Sequence, residues 1–248
     1  MFLTFAASTI TSSAIAMTFD SIIKRILYED NHILVVNKLS GEIVQADKSG
    51  DDSLEDSLKA FIKERDQKPG NVFIGVVHRI DRPVSGVVLF AKTGKALERF
   101  NDLFRAKELQ KKYWAITTKR PEPESAQLKH YLLRNEKQNK TYTFPSPKPG
   151  AKEALLNYRY FGSSDRYHFV EVELLTGRHH QIRAQLAAIG CPIKGDLKYG
   201  APRSNLYAGI SLHARSLSFI HPVKKIPIEI VAPAPEDVLW KLFMRCEG

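Results

Sequence analysis

Along this chain the strongest apolar signal is Val87-Val88-Leu89-Phe90-Ala91. An unbroken apolar run of that length, bounded by Gly86 and Lys92, predicts a buried strand. Val76 and Val77 predict a second strand shortly before it. Between the two lies His78-Arg79-Ile80-Asp81-Arg82-Pro83-Val84-Ser85-Gly86, where Pro83 and Gly86 predict a loop or sharp bend. Helical spacing occurs on either side. Leu54, Leu58, Phe61 and Ile62 follow it after Ser53, which with Asp56 resembles a capping box. Ala96, Leu97, Phe100, Leu103 and Phe104 line one face after Thr93, a capping residue.

The remaining pattern is rich in strands. Two are predicted over 22–28 and 33–36, joined by a polar turn, and Lys38 beyond them is expected in solvent rather than on a phosphate. A strand over 111–117 puts Tyr113 and Ala115 on one face and Lys112, Trp114 and Ile116 on the other. The segment 120–150, rich in Pro, Lys and Glu, predicts a peripheral hairpin with strands near 128–133 and 141–144. Strands over 152–161 and 167–175 follow. A helix is predicted from Gly177 to about Ile189, with Ile182, Leu186 and Ile189 as its buried stripe. On it His179 and Arg183, four apart, share a face. Late strands are predicted over 208–213 and 226–231, and a last helix over 236–243. Strands outnumber helices and come in consecutive runs. That pattern predicts an α+β fold around a mostly antiparallel, mixed sheet.

Charge narrows the class of partner. The 248 residues carry a formal net charge of +10, which points to a polyanion: nucleic acid or an anionic membrane. No apolar stretch reaches the length of a spanning helix, and no strongly amphipathic basic helix stands out, so no membrane partner is expected. Cys191 and Cys246 are the only cysteines. They form no disulfide framework and fit a reducing, cytoplasmic setting. Residues 1–19 carry no charged side chain, and Ala14-Ile15-Ala16 has the small-x-small spacing of a cleavage site. Without a positive n-region, and with Thr4, Ser8 and Thr9 interrupting, the segment reads as a disordered or artefactual leader. Residues 20–248 are then the folded domain.

Asp81 sits between Arg79 and Arg82, and nearby positive charge favours its ionised form. Alone, such a loop is an ordinary surface salt-bridge turn. A metal centre built from His78, Asp81, His179, His180 and His213 is the competing chemistry. His-x-x-Asp is a weak motif, though, and no His-Glu-x-x-His or Cys-rich ligand set accompanies it, so no metal is expected.

Three segments in order change the weighting. They are His78 to Gly86 with the strand and Ala91-Lys92-Thr93; Gln110-Lys111-Lys112-Tyr113-Trp114-Ala115; and Thr176-Gly177-Arg178-His179-His180-Gln181-Ile182-Arg183, followed by Pro192-Ile193 and Gly195-Asp196. Together they resemble the RluA family of RNA pseudouridine synthases, over most of the chain from about Ile26 to about Pro233. Asn37-Lys38-Leu39-Ser40-Gly41 departs from the family's pattern by having Leu39 where proline is usual. The resemblance implies a single catalytic domain around a long bent sheet with a central cleft. It implies catalytic roles for Asp81, Tyr113 and Arg183, with a carboxylate–guanidinium contact near ~3 Å. It places Arg79 in the gap left by a flipped base, and suggests Arg82, Arg178 and His180 as RNA-backbone contacts. Ribosomal or transfer RNA would be the substrate, with no cofactor and no metal, and a monomer is expected. An S4 RNA-binding domain, common in relatives, is not expected in the few residues before Ile26.

Overall fold

The computed structural model describes residues 19–48, 50–207 and 209–245. The leader expected over 1–19 falls outside them up to position 18. The described chain enters through a short helix, α1 (Phe19–Ile23), and a hairpin of β1 (Ile26–Glu29) and β2 (Ile33–Lys38). The strand expected over 22–28 therefore starts only at Ile26. Ile22 and Ile23 are helical, and the Arg25 N–H turns the chain by donating to the Ile22 carbonyl.

Helix α2 (Leu54–Arg65) begins where Ser53 Oγ accepts from the Asp56 N–H at 3.1 Å, and its predicted apolar stripe is buried. Next come β3 (Gly75–Val76) and β4 (Ser85–Ala91), separated by the Asp81 loop. Helix α3 (Gly94–Ala106) is capped by Thr93 Oγ1 on the Ala96 N–H. Every residue of β4 is buried, because both faces are covered. Val88 and Phe90 pack with Leu58 and Phe61 of α2, and Val87 and Leu89 with Phe100 of α3.

The second half supplies β5 (Gln110–Thr117), β6 (Ser125–Asn135), β7 (Lys140–Phe144), β8 (Lys152–Ser163) and β9 (His168–Leu174). Helix α4 (Gln181–Ala188), a 3-10 turn at Leu197–Tyr199, β10 (Leu212–Ile220), β11 (Pro227–Val231) and α5 (Val238–Arg245) complete it. One sheet runs β1-β2-β4-β10-β5-β9-β8-β6-β7, with β3 added on β4 and β11 on β10. Its pairings are antiparallel except that of β4 with β10. This is the α+β architecture with a mostly antiparallel, mixed sheet. Among the described residues no helix is long and apolar enough to cross a membrane.

Two further elements differ from the sequence pattern. The late strand expected over 208–213 runs instead from Leu212 to Ile220. Its pairing with β5 slips between Ala214 and Ser216, so Leu212 and Ala214 face the α2 side while Leu217 and Phe219 face the α3 side. Such a bulge breaks the period-two signal. The helix expected from Gly177 starts at Gln181. Gly177 to His180 form a turn, and His180 caps the helix in the left-handed region at φ 53°. The parallel junction itself depends on Gly86. Its φ is +115°, and a Cβ there would lie 2.2 Å from the Ala214 carbonyl oxygen.

Candidate active site

The Asp81 loop is held by its carbonyls. Val84 N–H closes a turn on the Asp81 carbonyl at 2.9 Å. The Arg82 carbonyl accepts from Gly41 N–H and from Lys38 Nζ, and the Pro83 carbonyl from Ser40 Oγ and Ile210 N–H. Ile80 and Val84 anchor the loop in the core, leaving Arg79 and Arg82 outside. Lys38 is the surprise. Expected in solvent, it is fully buried and also donates to the Leu39 and Glu42 carbonyls. Three inward carbonyls match the three N–H groups of one ammonium. Burial pushes its pKa down to about 7, against the pull of Glu42 and Asp81.

The opposite wall is the start of α4. Gln181 ties the turn to the sheet: its side-chain oxygen accepts from the Arg178 N–H and the Thr176 hydroxyl, and its amide donates to Leu155 O. Arg183, on the first turn of the helix, is 5 % exposed and holds two carboxylates. Nε and Nη2 meet Asp196 at 2.7 and 2.9 Å, and Nη1 meets Asp81 Oδ2 at 2.9 Å. The Tyr199 ring lies 5.1 Å beneath the guanidinium. Burial disfavours the charge on Arg183, but the bonds and charge of Asp196 and the charge of Asp81 outweigh it, so its pKa rises. The expected contact between Asp81 and Arg183 is thus present at the expected length.

Tyr113 lies on β5, between Ala214 of β10 and Val172 of β9, and is buried with Ala115 on the face toward the cleft. Burial, and then the nearby Asp81 charge, raise its phenol pKa. Asp81, Tyr113 and Arg183 line one cleft of about 1520 Å³, larger than the usual ~300–1,000 Å³ small-molecule pocket. Nine Lys and Arg side chains line it against four carboxylates. A polyanionic segment fits that volume and that charge.

The other expected residues are arranged unequally. Arg79 is exposed on the lip of the cleft, with no hydrogen bond or ion pair to a described residue. Arg82 also lines it, yet its guanidinium is engaged by Asp51 at 2.6 Å and by the Gly41 carbonyl. Arg178 is exposed and donates to the Glu153 carbonyl. His180, expected against an RNA backbone, is 7 % exposed, and its ring faces Tyr199 and Asp81. The alternative metal set does not converge: His213 is buried on Ser85 and His78 stacks on Phe104. Among the described residues no three His, Cys, Asp or Glu are placed to hold a metal ion. Sequence reasoning missed Lys38, Asp196 and Tyr199. Asp196 left a trace, since a buried arginine on a helix needs an acid nearby and Gly195-Asp196 follows closely.

Comparison with known proteins finds relatives both in sequence and in fold. A family model described as RNA pseudouridylate synthase matches residues 32–188. A ribosomal large subunit pseudouridine synthase C of Vibrio cholerae is 33 % identical over 214 residues, covering 84 % of this chain and 65 % of the relative. An uncharacterized RNA pseudouridine synthase of Bacillus subtilis is 32 % identical over 86 % of this chain and 70 % of its own length. The chain thus spans about two thirds of the length of these relatives. Human RNA pseudouridylate synthase domain containing 4 shares the fold with a TM-score of 0.75 at 23 % identity, over 93 % of this chain and 94 % of that one.

Proposed function

Given that the chain belongs to the RNA pseudouridylate synthase family, we propose that it converts specific uridines to pseudouridine in structured RNA. The reaction breaks the N1–C1′ bond, turns the base and joins C5 to C1′. C5 loses a proton and N1 gains one, so atoms and electrons balance without a co-reactant, and neither cofactor nor metal is invoked. Asp81 supplies an ionised oxygen to the ribose, either by attack at C1′ or by removal of the C2′ proton to give a glycal. Arg183 holds that carboxylate. Tyr113 lies against the base as a neutral phenol, since burial keeps its proton on. A uridine in a stem must leave its stack to reach the cleft, and in this reading Arg79, exposed on the lip, enters the gap. Arg82 and Arg178 meet the RNA backbone at the rim. The observation that carries this reading is the 2.9 Å contact between Asp81 and Arg183 in a basic cleft shared with Tyr113.

The names of several relatives make large-subunit ribosomal RNA the first substrate to test, with transfer RNA second. The protein acts as a cytoplasmic monomer in this reading. Pseudouridines mapped in the source organism with and without the gene should differ at one or a few positions. Wild-type protein should restore them and Asp81→Asn should not. A folded Asp81→Asn protein with substantial turnover would sink the assignment. Activity should also survive exhaustive EDTA treatment on RNA folded in monovalent salt; loss restored by a trace of zinc would favour a metal-dependent hydrolase.

A further inference from the structure

The contacts to Asp81 are one-sided. Arg183 Nη1 at 2.9 Å and His180 Nε2 at 3.6 Å both approach the same oxygen, Oδ2. No described residue makes a hydrogen bond with Oδ1, although the side chain is only 26 % exposed. The carboxylate therefore presents one held oxygen and one open oxygen to the cleft.

The proton on His180 follows from its other neighbour. The Tyr199 hydroxyl accepts from the Thr141 backbone N–H at 2.8 Å, and His180 Nδ1 lies 2.9 Å from the same oxygen. With that backbone donor satisfied, the hydroxyl proton is directed at Nδ1. A neutral imidazole carries one N–H, so an accepting Nδ1 leaves the proton on Nε2, the nitrogen that faces Asp81. Burial, then the charges of Arg183, His179, Lys198 and Arg134, lower the His180 pKa and keep the ring neutral. The ring is also fixed in place: it stacks on that of His179 with centroids 3.7 Å apart, and the left-handed backbone of His180 itself caps α4.

We propose that His180 is a positioning residue. As the Nε2–H tautomer set by Tyr199, it secures Oδ2 of Asp81 together with Arg183, so that Oδ1 alone meets the ribose. This rests on the pseudouridine synthase reading and adds to it a division of labour between the two carboxylate oxygens. A separation of 3.6 Å is longer than a hydrogen bond, and such contacts tighten when substrate closes the site. Once that contact has closed, both donors sit on one oxygen, the carboxylate loses its freedom to rotate, and Oδ1 is held toward the ribose.

The test has two readouts. Nitrogen-15 NMR of the wild-type protein at pH 7, with the His180 signals assigned by loss in His180→Gln, should show a protonated Nε2 and a bare Nδ1. Tyr199→Phe should shift that ring toward a mixture of tautomers. In single-turnover kinetics on an RNA that the wild type modifies, His180→Ala should lower the maximal rate about 10- to 100-fold, as expected for one hydrogen bond to a charged group. The RNA concentration at half-maximal rate should hardly change. His180→Gln, whose amide N–H2 reaches toward the Nε2 position, should recover most of the rate. An Nδ1–H tautomer or an imidazolium in the active wild type would overturn the proposal, whatever the variants do. So would equal losses in folded Gln and Ala variants, or weaker RNA binding at an unchanged maximal rate, which would make His180 an RNA contact. A wild-type protein without any turnover would instead remove the pseudouridine reading beneath it.

Discussion

Asp196 grips Arg183 through both oxygens, at 2.7 and 2.9 Å, and leaves only the Nη1 edge of the guanidinium for Asp81. Both side chains are almost wholly buried. Removing Asp196 leaves a buried cation half paired. Asp196→Ala should therefore lose about 3 kcal/mol in urea denaturation. It should also lower turnover, because Arg183 becomes free to place two nitrogens on Asp81 and cover both of its oxygens. Unchanged stability would mean that water replaces the lost carboxylate.

Tyr113 should act through its ring. The phenol pKa is raised by burial and by the Asp81 charge, so no phenolate forms at ordinary pH. The pH–rate profile of the wild type should show no rising limb between about pH 7 and 9 that disappears in Tyr113→Phe. The variant should bind RNA within about threefold of wild type, whereas Tyr113→Ala should lose a base-stacking surface worth about 1–3 kcal/mol. A rising limb present only in the wild type would restore the phenolate as a base.

Lys38 should make stability depend on alkaline pH. Its folded pKa, about 7, lies below its unfolded value, so from about pH 7 to about 10 the unfolded chain holds the extra proton. The contribution is fully present above the unfolded pKa and is lost as pH falls through the folded one. Wild-type stability, measured by urea denaturation relative to Lys38→Met, should rise across that window. A flat profile up to about pH 10 would show that the three carbonyls hold the ammonium charged in spite of its burial.

Arg79→Ala should slow turnover most on a structured stem-loop. Arg79 stands on the lip of the cleft without a partner among the described residues, and filling a vacated stack offsets part of an unstacking cost of a few kcal/mol. A short unstructured RNA with the same uridine should suffer less. Single-turnover rates on both RNAs, at one fixed salt concentration, check this. Equal losses would mean that Arg79 shapes the loop or supports Asp81.

The sequence was legible where one physical effect dominated. The apolar run of β4, the caps Ser53 and Thr93, and the face shared by Tyr113 and Ala115 all read correctly, because local pattern and burial agree there. The convergence of Asp81 and Arg183 was legible only through the resemblance of their segments to a family, since no local rule joins residues 102 positions apart. Errors fell where a tertiary contact overrode a local rule. Lys38 follows three carbonyls inward against the habit of lysine. The bulge after Ala214 hides β10 from a period-two reading. The left-handed His180 delays α4 by a turn, which takes His179 off the helix face assigned to it.

The place of β10 has a consequence for synthesis. It is made late, yet it lies between β4 and β5 in the finished sheet. Without it the sheet is divided in two, with the Asp81 loop beside β4 on one part and Tyr113 on the other. Ile210, just ahead of β10, also supplies a clasp on the Asp81 loop. A chain stalled before Leu212 is expected to attract RNA through its charge without altering it. Ribosome-bound chains of graded length should therefore gain turnover abruptly, only once the strand that joins the two halves has left the exit tunnel.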